Sequence, residues 1–233
     1  DGLSYFIVDM KSPGVTIRPL YQITAEAEFN EVFFDNVRIP HANMLGKEGQ
    51  GWRVAITTLM NERVAIGGGG PKKKGAGGIA QVVQLWQKRK PGALSPAQEV
   101  IMRDRVTRAW MENELLRVTN QRARAAQKSG NPGPEGSVGK LAQAEINKRL
   151  WELAIDVMGS DGLAFEAGYE LRQSGFEGRT TEALAKYQFL RSRANSIEGG
   201  TSEIMKNILG ERVLGLPGDP RVDKDVPWKD VPR

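Results

Sequence analysis

The sequence contains no cysteine and a single histidine, His41. The first absence excludes disulfides, thiol nucleophiles and thiolate metal sites. The second leaves zinc without enough nitrogen ligands, and no metal site is expected. A Ser-His-Asp triad would have to use His41. That residue closes Arg38-Ile39-Pro40-His41, a turn at a strand end, where a surface role is the ordinary one. No apolar run approaches the roughly 20 residues of a membrane helix, and no segment reads as a signal peptide. A soluble, cytoplasmic chain without a membrane span is the expectation. The formal net charge is +5, but the excess is scattered over helices also rich in Glu and Asp. A nucleic-acid partner is therefore not expected. The one basic cluster, Lys72-Lys73-Lys74, lacks interleaved aromatics. It reads either as a solvated loop or as an attractor of a phosphate-bearing ligand.

What is present falls into two regions. The chain of 233 residues is long enough to bury a sizeable core. It starts at Asp1 and enters almost at once on Tyr5-Phe6-Ile7-Val8, as expected of a piece of a longer or processed protein. Strand-like runs at Tyr5 to Asp9, Val15 to Leu20 and Glu28 to Phe34 are rich in β-branched and aromatic residues. Three short strands do not make a sheet that is stable alone, so the stretch from Leu3 to about Ile39 reads as the end of a β domain. From 49 onward the period becomes helical. Helices are expected over Gly51 to Ile66, around Ile79 to Trp86, from Ser95-Pro96 to about Ser129, from Val138 to about Met158, and near 181–194 and 202–214. Gly67 to Gly70 with Pro71 breaks the first, and the low-complexity stretch through Gly78 is expected to be mobile. Gly130 to Ser137 reads as a loop, and the residues from Pro217 as extended. The fold class expected is mainly α: an antiparallel helical bundle preceded by a few strands.

Two segments carry chemistry. In Leu59-Met60-Asn61-Glu62-Arg63-Val64-Ala65-Ile66, Glu62 has Ala55, Thr58, Leu59, Ala65 and Ile66 at helical spacings around it. A carboxylate on such an apolar face is expected to be desolvated, which raises its pKa. That tuning suits a base that removes a weakly acidic carbon-bound proton. The bland reading is a Glu paired with an Arg at the bundle edge. In Ser196-Ile197-Glu198-Gly199-Gly200-Thr201-Ser202-Glu203-Ile204, paired glycines run into a helix start. Backbone N–H groups there could meet an anionic oxygen such as a diphosphate; the bland reading is a helix cap. Glu203 suits the helix dipole but would repel an adjacent phosphate, and Glu198 is a second candidate base.

At these segments the sequence resembles the acyl-CoA dehydrogenase family, over nearly the whole chain. Phe29-Asn30-Glu31-Val32-Phe33-Phe34-Asp35-Asn36-Val37-Arg38-Ile39-Pro40 is similar to the end of the family's middle β domain. Leu45-Gly46-Lys47-Glu48-Gly49-Gln50-Gly51-Trp52, followed by Glu62-Arg63, is similar to the entry into its helical domain. Gly199 to Ile204, followed by Leu209-Gly210-Glu211-Arg212-Val213-Leu214-Gly215, resembles the signature near its C-terminus. The resemblance implies that residues 1–48 end the family's middle β domain and that 49–233 form its antiparallel four-helix bundle, with FAD as cofactor and an acyl-CoA as substrate. It also implies electron-transfer flavoprotein or a similar acceptor, and a homo- or hetero-oligomer, dimer or tetramer. In the implied reaction a carboxylate takes the pro-R α-proton while the β-hydride passes to N5 of FAD. Of the two family positions for that base, one matches Glu62 and the other is held by Gly199. Glu198 stands one position early, as the alternative. Arg63 and Gly200 match substrate-contacting positions, and Thr201, Ser202 and Glu203 match positions that meet FAD.

Two family stretches depart from pattern. The Arg-x-x-Phe-Gly stretch is not recognisable between Gly67 and Ala97. The glycine loop that also meets FAD, represented by Gly159, reads Asp156-Val157-Met158-Gly159-Ser160-Asp161-Gly162. Some members of the family pair a flavin-holding subunit with a degenerate partner. A non-catalytic structural subunit of a hetero-oligomer is thus the alternative to the dehydrogenase itself, and the 233 residues alone are expected to be inactive.

Overall fold

The computed structural model describes residues 2–67, 73–128, 135–164, 180–218, 220, 222–223 and 226–231. Residues 68–71 of the expected helix break and 130–134 of the expected loop lie outside the described residues, as does the side chain of Arg63, while 135–137 of that loop are helical. The fold is mainly helical with a few short antiparallel strands, as the sequence leads one to expect. Its elements are β1 (Tyr5–Phe6), β2 (Val15–Leu20), β3 (Phe29–Phe34), β4 (Met44–Leu45), α1 (Gly51–Gly67), α2 (Gly78–Lys88), α3 (Pro96–Lys128), α4 (Glu135–Met158), α5 (Thr181–Arg191) and α6 (Ser202–Arg212).

The strands form two separate pairs. β2 and β3 run antiparallel from Val15 opposite Phe34 to Leu20 opposite Phe29. β1 pairs with β4, a two-residue strand without a strand-like sequence run of its own. The first run, expected to reach Asp9, ends at Phe6 because only Tyr5 and Phe6 find ladder partners. On the β2–β3 hairpin, Ile17, Leu20, Phe29, Val32, Phe33 and Phe34 are all exposed, and the Arg18 guanidinium lies over the Phe33 ring at 4.8 Å from its centroid.

The helices owe their limits to local chemistry. α3 opens with a reciprocal capping box: Gln98 N–H donates to Ser95 Oγ at 3.3 Å, and Ser95 N–H donates to Gln98 Oε1 at 2.9 Å. Pro96 occupies the first turn, where its missing N–H costs nothing. α5 is capped by Thr180, whose hydroxyl accepts from Ala183 N–H at 3.1 Å. α1 begins where the β segment passes close by. Gly51 N–H donates to Leu3 O at 2.6 Å, and a Cβ on Gly51 would stand 2.6 Å from the Ser4 carbonyl carbon. Only glycine permits that approach.

α4 is the centre of the packing and touches α1, α2, α3, α5 and α6. The main core joins Ile79, Val82 and Leu85 of α2, Val106 of α3, Leu150, Trp151, Leu153 and Ala154 of α4, and Ala185 of α5. Leu150 is 3% exposed. Its Cδ2, with the Trp151 ring, closes around Gly78, so α2 meets α4 at a residue without a side chain. Two substitutions test this account by urea unfolding. Leu150→Ala should cost about 2–5 kcal/mol through the lost contacts and the cavity left behind. Gly51→Ala should cost about 1–3 kcal/mol, because backbone must move to admit the methyl group. Wild-type midpoints for both would contradict the packing described.

Candidate functional site

The segment from the end of α5 to the start of α6 is anchored along much of its length. α5 runs into a 3-10 turn, Ser192–Ser196, and α6 starts at Ser202. Gly199 and Gly200 have φ of 63° and 95°, a region in which side chains are strained. Thr201 caps α6, its Oγ1 accepting from Ile204 N–H at 3.2 Å. The hydroxyl proton of Thr201 is not consumed by that bond. Ser202 is buried and donates through Oγ to Glu145 Oε1 at 2.9 Å. Any contact from Ser202 to a ligand would therefore come from its backbone. Glu203 is exposed in the first turn of α6.

Glu198 is not a free loop carboxylate. Arg191 Nη2 lies 2.9 Å from its Oε2 and Arg191 Nη1 donates to its Oε1 at 3.2 Å. Asn195 Nδ2 donates to the same Oε1 at 2.7 Å. Burial pushes the Glu198 carboxyl up, but the hydrogen bonds from Arg191 and Asn195, with the charges of Arg191 and Lys140, outweigh it and hold it below the ordinary carboxylate value. Arg191 also reaches Glu28, Nε to Oε2 at 3.3 Å, and so joins the β region to the loop. Next to it Tyr187, buried on α5, donates its O–H to Glu26 Oε2 at 2.6 Å. Burial and that acceptor raise the phenol pKa.

From the other side α4 grips the segment. Lys140 Nζ donates to the Asn195 carbonyl at 3.1 Å and to the Gly200 carbonyl. Asn147 Nδ2 donates to Asn195 Oδ1 at 2.6 Å, and Trp151 Nε1 donates to Asn147 Oδ1 at 2.9 Å. Arg193 Nη1 pairs with Glu152 at 2.7 Å, and its Nη2 donates to the Lys148 carbonyl at 3.2 Å. Lys140, Asn147 and Arg191 were not singled out by sequence reasoning. The signal available was two polar residues, at 140 and 147, in the helical stripe that also holds Ala144 and Trp151.

The expected site residues separate into three places. Glu198, Gly200, Thr201, Ser202 and Glu203 lie together on the segment just described. Glu62 and Arg63 lie on α1, which packs against the same helix α4. Glu62 is exposed, and so are Thr58 and Leu59. The desolvation expected from its apolar neighbours is thus not supplied by the described residues; the side chains of Ala65 and Ile66, two of those neighbours, lie outside them. Gly159 follows α4 at its far end, with φ of 62° and open space around it. Nineteen residues of rise put it about 28 Å along α4 from Lys140, so this chain does not bring Gly159 to the Gly200 segment.

Because the folded-state pKa of Glu198 lies below its unfolded value, its pairing contributes stability that is fully present above the ordinary carboxylate range. That contribution is lost as pH falls through the folded-state value. Glu198→Gln should therefore flatten the loss of stability on acidification from about pH 6 to about pH 3. Urea midpoints across that window measure the slope. Equal slopes in the two proteins would show that Glu198 gains nothing from Arg191 and Asn195.

Comparison with known proteins bears on the same segments. Residues 49–214 match the model of the acyl-CoA dehydrogenase C-terminal domain. The chain is 38% identical over 216 residues to acyl-CoA dehydrogenase IpdE1 of Mycobacterium tuberculosis, covering 93% of this chain and 51% of that protein. It is 35% identical over 217 residues to acyl-CoA dehydrogenase FadE34 of the same organism, covering 93% of this chain and 27% of that protein. Among solved structures, the ChsE4-ChsE5 complex from Mycobacterium tuberculosis superposes with a TM-score of 0.73 at 22% identity, covering 94% of this chain and 53% of that one. The glutaryl-coenzyme A dehydrogenase glutaryl-CoA complex gives 0.69 at 21% identity, covering 94% and 52%. The chain spans about half the length of IpdE1 and about a quarter of FadE34. With the family model covering most of its helical region, the chain belongs to the acyl-CoA dehydrogenase family.

Proposed function

We propose that this chain is the C-terminal part of an FAD-dependent acyl-CoA dehydrogenase, with residues 1–48 closing the middle β domain and 49–233 forming the helical domain. Glu62 is the base in this reading and Glu198 is a structural group. The observation that carries the choice is the pairing of Glu198 with Arg191 and Asn195, which holds its carboxyl low. A carboxylate so stabilised is a poor acceptor for an α-proton. Gly199 has no group to offer at the neighbouring position. Glu62 carries an exposed carboxylate on α1 beside the exposed Thr58 and Leu59, where a covering acyl-CoA or the rest of the protein would shield it from water.

The segment fits a flavin in three respects. Gly199 and Gly200 leave the backbone open to close approach, the Thr201 hydroxyl keeps a proton to donate, and α6 offers its N-terminal N–H groups. Thr201, the Ser202 backbone and Glu203 would hold the cofactor, while Gly200 and Arg63 would meet the substrate. FAD supplies a hydride acceptor for the β-carbon when bound. Glu62 takes the α-proton, so that proton and hydride leave adjacent carbons and a double bond forms between them. Gly159, at the other end of α4, would serve a different part of a cofactor or another subunit's site.

A second reading is a partner subunit that leaves FAD to another chain. It is favoured by the two-component ChsE4-ChsE5 complex among the structural neighbours and by the altered Gly159 to Gly162 turn. The full-length protein separates the two. A yellow preparation with a flavin spectrum supports the dehydrogenase, and a colourless one that copurifies with a flavin-bearing homologue supports the partner. In a flavin-bearing protein, Glu62→Gln should abolish bleaching by acyl-CoA while FAD stays bound, whereas Glu198→Gln should retain bleaching. Bleaching that survives Glu62→Gln and is lost with Glu198→Gln would reverse the assignment of the base.

A further inference from the structure

Lys140 is 4% exposed, an unusual place for an ammonium group. Removing such a charge from water costs several kcal/mol unless partners compensate it. Its two direct partners are the carbonyls of Asn195 and Gly200, which lie 55 and 60 residues away in sequence. Both belong to the segment before α6. The side chain therefore tethers one piece of backbone to α4, and its favourable interactions depend on that piece being in place. Desolvation lowers the Lys140 pKa, while the carboxylates of Glu198, Glu145 and Glu203 act in the opposite sense and favour the charged, donating form.

The bond to Gly200 has a directional consequence. No peptide in the described chain is cis. In a planar trans peptide the carbonyl of one residue and the N–H of the next point opposite ways. Holding the Gly200 oxygen on Lys140 turns the Thr201 N–H away from Lys140. Asn147 fixes the Asn195 side chain, and Asn195 in turn holds Glu198, so the start of the segment is set by the same helix face. The two glycines, at φ of 63° and 95°, have no side-chain preference that would choose this orientation unaided.

We propose that Lys140 is the positioning residue of the Asn195–Thr201 segment, aiming the Gly200-Thr201 peptide at the bound flavin and acyl thioester. This rests on the assignment of that segment to the FAD and acyl-CoA site. Lys140 itself touches neither ligand and acts through the carbonyl it holds. A displaced peptide alters both cofactor affinity and the alignment of the reacting carbons, and a shift of about 1 Å can cost about a hundredfold in rate.

The test uses the full-length protein and compares Lys140→Met, Lys140→Gln and Lys140→Arg with wild type. Hydrogen exchange at the amides of 197–205, FAD affinity by fluorescence titration, and kcat and KM for an acyl-CoA are the readouts. Lys140→Met should speed exchange in 197–205 by about tenfold or more while the Ile79 to Leu85 amides stay protected. It should also weaken FAD by about tenfold or more and lower kcat more than it raises KM. Lys140→Arg, which keeps the donors, should recover most of each loss. If Lys140→Met does not fold, Lys140→Gln supplies the same comparison. Unchanged exchange in 197–205 would overturn the proposal. So would faster exchange with FAD affinity and kcat unaltered, which is the result of a merely structural lysine. Should the wild-type protein hold no FAD, the functional assignment falls, and the exchange comparison alone still decides whether Lys140 sets the segment.

Discussion

The burial of α4 is the constraint on which the rest of the helical region depends. Five helices pack against it. Ala144 and Ala154, both fully buried, let neighbours approach, while Leu150, Trp151 and Leu153 fill the space between them. A helix surrounded in this way is expected to be apolar on most faces. α4 departs from that near its N-terminal half, where Lys140, Glu145 and Asn147 point into the protein. These three are each satisfied, Lys140 by two carbonyls, Glu145 by Ser202 and Lys148, and Asn147 by Asn195 and Trp151, whereas the buried Gln143 Oε1 has no hydrogen-bond partner among the described residues. The apolar residues of α4 build the core, and Lys140, Asn147, Lys148 and Glu152 hold the candidate segment.

This division explains what could be read from the sequence. Helix positions followed from spacing and caps, and Ser95-Pro96 and Thr201 mark starts that the structure keeps. The functional segment was visible through its glycines. Its supports were not, because they are contacts between residues far apart in the chain: Lys140 with Gly200, Arg191 with Glu28, Tyr187 with Glu26. A helical spacing shows that Lys140 shares a face with Trp151, yet it does not show which carbonyls wait opposite. The same limit governed Glu62. Its apolar neighbours define a face of α1, whereas its solvation depends on what covers that face.

Glu198 illustrates how environment decides the role of a carboxylate. By residue type it and Glu62 are equivalent. Glu198 sits between Arg191 and Asn195, where the charged form is favoured strongly enough to overcome its burial. Arg191 is in turn held by Glu28, so the ion pair ties the β region to the segment as well as to α5. Surface pairs of this kind contribute little by themselves, but a network with partly buried members restricts the geometry of each. The value of Glu198 in this arrangement is the shape it gives the turn from Ser192 to Gly199.

The backbone gives an independent reason for a base on α1. Gly199 occupies the alternative family position with φ of 63°, a conformation that costs a residue with a Cβ about 1–2 kcal/mol. The following residue, Gly200, has φ of 95° and places its α-carbon where a Cβ would stand 2.8 Å from Met205 Cε. A base at position 199 itself would need a non-glycine residue in a turn shaped for glycine, while Lys140 and Asn147 hold the residues on either side. A base carried on α1 imposes no such demand. It leaves the segment to present backbone groups, and it places the proton acceptor on a regular helix whose packing against α4 sets its position.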